Sequence, residues 1–287
     1  MIIKEQTQPA EGLADQPSIR IAPVTALADF ERCVEVQLAV WGYSDGDLIP
    51  KRVFIVADRI GGQVIGAFDR DVMVGFAMAL PGCREREPYL HSHMLAVLPE
   101  YRNAGMGRRL KLAQRDEALA RGIDLIEWTF DPLEIKNAHL NIVRLGAIAR
   151  RYMRDFYGPS TSPLQGGLPT DRLVAEWWLR SPRVRLTLGE EESGKEGADD
   201  PGRGEEMAQR PPAPERVAVP HAIHDWKRNP DQRKLAEHLQ TQNRLALESA
   251  FARGLAITGY ERSPEGDGCF LLGPASGLDE LGTRNKQ

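Results

Sequence analysis

Two pieces of the stretch His91 to Leu110, HSHMLAVLPEYRNAGMGRRL, carry side chains or backbone able to do chemistry. The first is the pair His91 and His93, whose imidazoles, with an unperturbed pKa of about 6.5, can accept a proton near neutral pH, directly or through water. The second is Arg102-Asn103-Ala104-Gly105-Met106-Gly107-Arg108. Gly105 and Gly107 lack a Cβ, so the backbone can bend tightly there and bring several N–H groups to a phosphate at the positive end of a following helix. Arg102 and the cluster Arg108-Arg109-Lys111 add positive charge. A pyrophosphate fits such a turn. The glycine spacing departs from the dinucleotide fingerprint Gly-x-Gly-x-x-Gly and from the Walker loop Gly-x-x-x-x-Gly-Lys-Ser/Thr. The bland readings stand beside these: a structural strand-to-helix turn, a pair of histidines hydrogen-bonded on a sheet face, and arginines that are merely solvated.

Periodicity supplies the elements that must hold these groups. Ile19 to Val24 reads as a strand, Leu27 to Val40 as a helix with Leu27, Phe30, Val34, Leu38 and Trp41 at helical spacing, and Pro50 to Gly61 as a second helix. Gln63 to Phe68 and Val72 to Leu80 flank an Asp69-Arg70-Asp71 turn as a hairpin. Tyr89 to Val97 is a third strand, on which His91 and His93 share a face. It enters the glycine turn and a helix over 105–121, followed by a strand from Ile123 to Phe130. A helix from Leu133 to Leu145 capped by Gly146 and strands Ile148 to Tyr157 and Asp171 to Leu179 complete the first part. Asn137 and Asn141 stand four apart on that helix and are expected on one face, toward a ligand. Asp131 is expected to cap the helix or to line an acceptor pocket, and Thr170 and Asp171, at the end of a Gly/Pro-rich loop, to line the same pocket.

Residues 1–17 read as a disordered tail, 18–185 as the main domain, 186–216 as a disordered linker, 217–275 as a helix and strand extension packed on that domain, and 276–287 as a second tail. Between Glu190 and Glu206 the linker has eight acidic and two basic side chains. With 287 residues, 41% of them hydrophobic, the chain can bury a sizeable core. Its net charge of −4 argues against bulk nucleic-acid binding. No run approaches the roughly 20 apolar residues of a membrane span, and the N-terminus has no apolar signal core, so a cytoplasmic protein is expected, with no membrane partner. Cys33, Cys83 and Cys269 form no metal-ligand spacing, so no metal is expected.

The run Leu95-Ala96-Val97-Leu98-Pro99-Glu100-Tyr101-Arg102-Asn103-Ala104-Gly105-Met106-Gly107 resembles the acyl-CoA-binding signature of the GNAT (GCN5-related N-acetyltransferase) superfamily. The resemblance implies an α/β (α+β) GNAT fold over about 18–180, with a mixed, mostly antiparallel sheet flanked by helices, here with a C-terminal helix and hairpin extension. It implies acetyl-CoA or another acyl-CoA as co-substrate. Backbone groups of Leu95, Ala96 and Val97 would pair with pantetheine, and N–H groups from Arg102 to Arg108, Asn103, Ala104, Gly105, Met106 and Gly107 included, would hold the pyrophosphate. Asn137 would contribute at the pantetheine. The segment HSHMLAV is also similar to the His-x-His strand of arylalkylamine N-acetyltransferases, which implies that His93, ahead of His91, deprotonates an amine. The chain departs from the family at Ile142, where many GNAT enzymes place the tyrosine that protonates the thiolate; Tyr152 and Tyr157 are the candidate substitutes. The expected activity is direct N-acyl transfer to a primary amine of a small molecule, in a chain whose exposed sheet edges suit a homodimer. The competing expectations are a non-catalytic acyl-CoA sensor or scaffold, a succinyl-CoA-dependent amino-acid N-acyltransferase and a protein-lysine acetyltransferase.

Overall fold

A computed structural model describes residues 19–42, 47–160, 165–190 and 214–275. The two expected tails and residues 191–213 of the acidic linker lie outside the described residues. Ten strands form one sheet: β1 (Ile19–Pro23), β2 (Gln63–Asp69), β3 (Val72–Arg84), β4 (Glu87–Val97), β5 (Leu125–Phe130), β6 (Ile148–Met153), β7 (Arg172–Trp178), β8 (Glu215–Val219), β9 (Leu255–Arg262) and β10 (Gly268–Pro274). Their spatial order is β1-β2-β3-β4-β5-β7-β6-β9-β10-β8. Every pairing is antiparallel except β4 with β5.

The helices are α1 (Leu27–Trp41), α2 (Lys51–Arg59), α3 (Met106–Ala120), α4 (Ile135–His139), α5 (Pro182–Leu188), α6 (Ile223–Arg228) and α7 (Arg233–Ala252). Phe30 of α1 and Phe54 of α2 cover Phe76, Met78, Met94 and Ala96 on one face of the sheet. Met106 and Leu110 of α3 pack on Ile65 and Ala67, alternate residues of β2, and on Val74, at a bulge of β3, and Ala77, on the other. A third cluster joins Ile126, Trp128 and Trp177 to Val217, Ala236, Leu247, Ile257 and Phe270. Residues 214–275 therefore bury their apolar side chains against β5 and β7. Their sheet joins the rest where Ile257 of β9 meets Ala149 of β6, which leaves β1 and β8 as the outer strands. Among the described residues no helix is long and apolar enough to cross a membrane.

Several expected boundaries move. The helix expected over 133–145 is α-helical only to His139 and continues as a π-helical turn, Leu140–Arg144. The strand expected to reach Tyr157 ends at Met153. Residues 186–188, expected to begin the linker, belong to α5 instead. Its signals are local: Ser181 Oγ accepts the Val184 N–H at 3.3 Å, Pro182 occupies the first turn, and Gly189 ends the helix at φ 76°. Residues 215 and 216, assigned to the other end of the linker, are paired in β8 with Leu272 and Leu271.

Candidate active site

The glycine turn opens α3 as its spacing requires. Gly105 is the N-cap residue at φ 73°, and Asn103 sits at φ 63°, so the chain turns twice through the left-handed region before the helix begins. Arg109 is the first residue of this helix whose N–H finds a carbonyl, that of Gly105 at 3.1 Å. The N–H groups of Asn103 to Arg108 have no backbone acceptor among the described residues. A Cβ on Gly105 would project into open space, and one on Gly107 would make only ordinary contacts, 3.6 Å to Leu95 and 3.7 Å to Leu140. The space over the turn is a cradle of unpaired donors, suited to an anion. The basic residues around it are positioned by carbonyls. Arg102 Nε donates to Val97 O (3.0 Å), Arg108 Nε to Arg144 O (3.3 Å), and an Arg109 amine nitrogen to Ile19 O (2.6 Å). Lys111, expected in the same cluster, is instead buried beneath the sheet.

The strand that leads into the turn has an open edge. β4 pairs with β5 only at Leu90 with Ile126 and His91 with Glu127, so beyond His91 the two parallel strands separate and Leu95 to Val97 face no strand on that side. The two histidines stand at the fork. Pairing with β3 passes from Met78–Met94 to Ala79–Ser92, which leaves His93 as the extra residue of a β-bulge. Strict alternation would put Leu95 and Val97 on the histidines' face. The bulge reverses this, and both pack with α3. The His91 and His93 rings lie 6.2 Å apart at 39°. Neither has a hydrogen-bond partner among the described residues. Burial, then the neighbouring His93, pushes the His91 imidazole down to about 4, and burial also lowers His93. Both are neutral at pH 7 and able to accept a proton.

Residues 30–140, which include this fork, match the model of the acetyltransferase (GNAT) family. Over that stretch the chain is similar to the GNAT family. No curated protein matches it in sequence. Among solved structures it is similar to the ribosomal-protein-S18-alanine N-acetyltransferase of Escherichia coli, at 18% identity and a TM-score of 0.44, over 55% of this chain and 92% of that one. It is also similar to an aminoglycoside acetyltransferase from an uncultured soil metagenomic sample, at 15% identity and a TM-score of 0.39, over 42% and 84%. A third is Arabidopsis thaliana Naa50 in complex with a bisubstrate analogue, at 15% identity and a TM-score of 0.43, over 55% and 97%.

The floor of this fork is ionic, which the reading of the sequence missed. Glu127 of β5 and Glu176 of β7 are cross-strand partners, each 2% exposed. Arg84 grips Glu127 with two parallel bonds of 2.7 and 2.8 Å. Arg151 bridges the two carboxylates, and Arg150 binds Glu176. The signal lay in the strands themselves, since a glutamate stands inside two mainly apolar runs, LIEWTF and RLVAEWW. On the opposite face Lys111 Nζ donates to Ser92 Oγ at 2.7 Å and lies 3.7 Å above the Trp128 ring, and Ser92 Oγ donates to Gln114 at 2.9 Å. Ser92 is thereby pinned between the two histidines.

Other expected site residues are engaged elsewhere. Asp131 accepts the Leu133 N–H at 2.8 Å and the Lys227 ammonium at 2.9 Å, so its carboxylate caps the turn and ties it to α6 rather than facing an acceptor. Thr170 and Asp171 are fully buried. The Thr170 hydroxyl accepts the Tyr157 N–H, and Asp171 accepts the Asp155 N–H, the Tyr152 hydroxyl and Arg244 Nε. Tyr152 is therefore withdrawn as a proton donor, and its phenol is pushed up by burial and by Asp171. Tyr157 is nearly half exposed, with its hydroxyl 2.8 Å from Thr129 Oγ1. Thr129 stands two residues beyond Glu127 on β5 and so on the same face. Ile142, where the resemblance implied a tyrosine, is buried in the core. Asn137 is exposed while Asn141 is buried, so the two do not share an environment; the π-helical turn that begins at Leu140 breaks the four-residue repeat. Among the described residues no group of three or more His, Cys, Asp or Glu side chains is placed to hold a metal.

Proposed function

We propose that this GNAT domain transfers an acyl group, acetyl in the first instance, from acyl-CoA directly to the primary amine of a small molecule. The observation that carries the reading is the fork itself: an unpaired strand edge, a cradle of unpaired N–H groups at one end, and two neutral imidazoles at the other. The thioester, when bound, supplies the activated acyl group. The N–H groups of Asn103 to Arg108 hold the pyrophosphate, with Arg102 and Arg108 adding charge, and the edge of Leu95 to Val97 and Asn137 hold the pantetheine. His93, with His91 beside it, takes the proton that the amine must lose before it is a nucleophile. Tyr157 or solvent returns a proton to the departing thiolate, a modest demand for a thiol with a pKa of about 8.5.

Thermal-shift screening with CoA, acetyl-CoA, succinyl-CoA and longer acyl-CoAs tests this reading. A ligand at about 100 times its Kd adds about 2.7 kcal/mol to stability. A shift followed by thiol release in the presence of amines supports transfer, and no shift with any CoA species overturns it. The burial of Ile142 where the family carries a phenol favours a second reading, a non-catalytic acyl-CoA sensor. Acyl-CoA binding without thiol release across a broad amine panel would decide for it.

A further inference from the structure

Three guanidinium groups and two carboxylates meet on the floor of the fork, on the face that carries His91. Glu127 is the parallel partner of His91 and the antiparallel partner of Glu176, so all three side chains project from one face of the sheet. The carboxylates are buried, whereas Arg84 is 45% and Arg151 37% exposed in their side chains. The cluster therefore shows its arginines to solvent and hides its glutamates. Its formal charge is one positive in excess. Each guanidinium has five N–H donors, of which the bonds to Glu127 and Glu176 use two on Arg84 and two on Arg151, leaving donors that point away from the carboxylates. Stability gives little reason for the arrangement, since a buried ion cluster commonly does no better than apolar side chains of the same volume. The Arg84 guanidinium also lies 5.0 Å from the centre of the Tyr89 ring, two residues before His91 on the same strand, and Arg151 acts electrostatically on His91.

We propose that Arg84 and Arg151 bind a carboxylate on the acceptor, so that the substrate is an amine of the amino-acid type, with its carboxylate on the arginines and its amino group at His91 and His93. This rests on the acyl-transfer reading above and names the substrate class of the same site. The two buried glutamates orient the arginines, and the arginines choose the substrate.

The test compares amino acids with their own amides, glycine with glycinamide and phenylalanine with phenylalaninamide, by kcat/KM with acetyl-CoA. The amide has the less basic amine, so intrinsic reactivity favours it, and a preference for the acid must come from the protein. The expected result is a preference of at least tenfold for the acid in the wild-type protein, weakened by salt. Arg84→Gln should lower the acid-to-amide ratio about tenfold, Arg84→Lys should lower it less, and Arg154→Gln, at an exposed ion pair with Glu248, should leave it unaltered. Should Arg84→Gln fail to fold, the wild-type ratio and its salt dependence still decide. Thiol release with amides at least as fast as with acids overturns the carboxylate assignment while leaving acyl transfer intact. Absence of any acyl-CoA binding overturns both.

Discussion

Lys111→Met is expected to flatten the dependence of stability on pH. Lys111 is 2% exposed, and no carboxylate lies within ion-pair distance of it among the described residues. Among the described residues its amine has only the Ser92 hydroxyl and the face of Trp128. Burial holds its pKa well below the usual lysine value. The unfolded chain keeps the proton up to about pH 10.4, whereas the folded chain has released it at a lower pH, so between those two values the unfolded state binds more protons and stability rises with pH. The slope from one such group reaches about 1.4 kcal/mol per pH unit within that window. Methionine fills a similar volume, keeps a sulfur contact to the ring, and leaves Ser92 bonded to Gln114, so it removes the titration at the loss of one hydrogen bond of about 1 kcal/mol. Urea denaturation of both proteins from pH 6 to 9 reads the difference, because the other titrating groups are common to both. The variant should be the more stable at the acid end, with the curves converging as pH rises. Parallel curves would refute the reasoning, since they would mean that Lys111 carries the same charge folded and unfolded.

Gly107→Val should fold, because its Cβ meets only ordinary contacts, yet it fills the cradle; acetyl-CoA affinity measured by calorimetry should fall at least tenfold, about 1.4 kcal/mol. His93→Ala should lower kcat with a primary amine by about 100-fold at pH 7, the low end of general-base contributions, with acetyl-CoA Kd largely retained; unaltered turnover would remove His93 from the mechanism. Lys227→Met leaves Asp131 buried without its cation and should cost about 3 kcal/mol of stability in denaturant titration, with the C-terminal segment loosened first in hydrogen exchange. Lowering the pH from 6.5 to 4 should destabilise the protein through His91, because its depressed pKa lets the unfolded state take up the proton first; His91→Gln should remove up to about 3 kcal/mol of that loss.

What was legible in the sequence was local. Gly105 declares a turn because only its own backbone conformation is at stake, and the order of strands and helices follows from apolar repeats within single elements. The bulge at His93 was not legible. It exists because Met78 and Ala79 of β3 take Met94 and Ser92 as partners, a choice made by packing between strands, and it alone decides that Leu95 turns toward α3 while the histidines do not. Thr170 and Asp171 were read as pocket residues because they end a long loop. Their hydrogen bonds to residues 152–158 and to Arg244 come from the end of β6 and the turn beyond it and from a helix distant in sequence.

The same distinction separates the two halves of the proposed chemistry. Donor binding, as proposed, would use backbone N–H groups of one continuous segment, so a short stretch of sequence was enough to suggest it. The acceptor side is made where four strands meet: His91 on β4, Glu127 on β5, Glu176 on β7 and Arg150 and Arg151 on β6, with Arg84 reaching in from the end of β3. No periodicity within a strand marks such a cluster, but a lone glutamate at the centre of an apolar strand does, because a buried carboxylate must be paired. Glu127 and Glu176 each required a cation, and the arginines that supply it are also the groups able to meet an anion in the cleft. In the proposed site the sign of the acceptor's charge would be written in the residues that hold buried glutamates in place, and Ile142, buried at a position where the resemblance implied a phenol, would leave the proton transfers to the histidines of β4, to Tyr157 and to solvent.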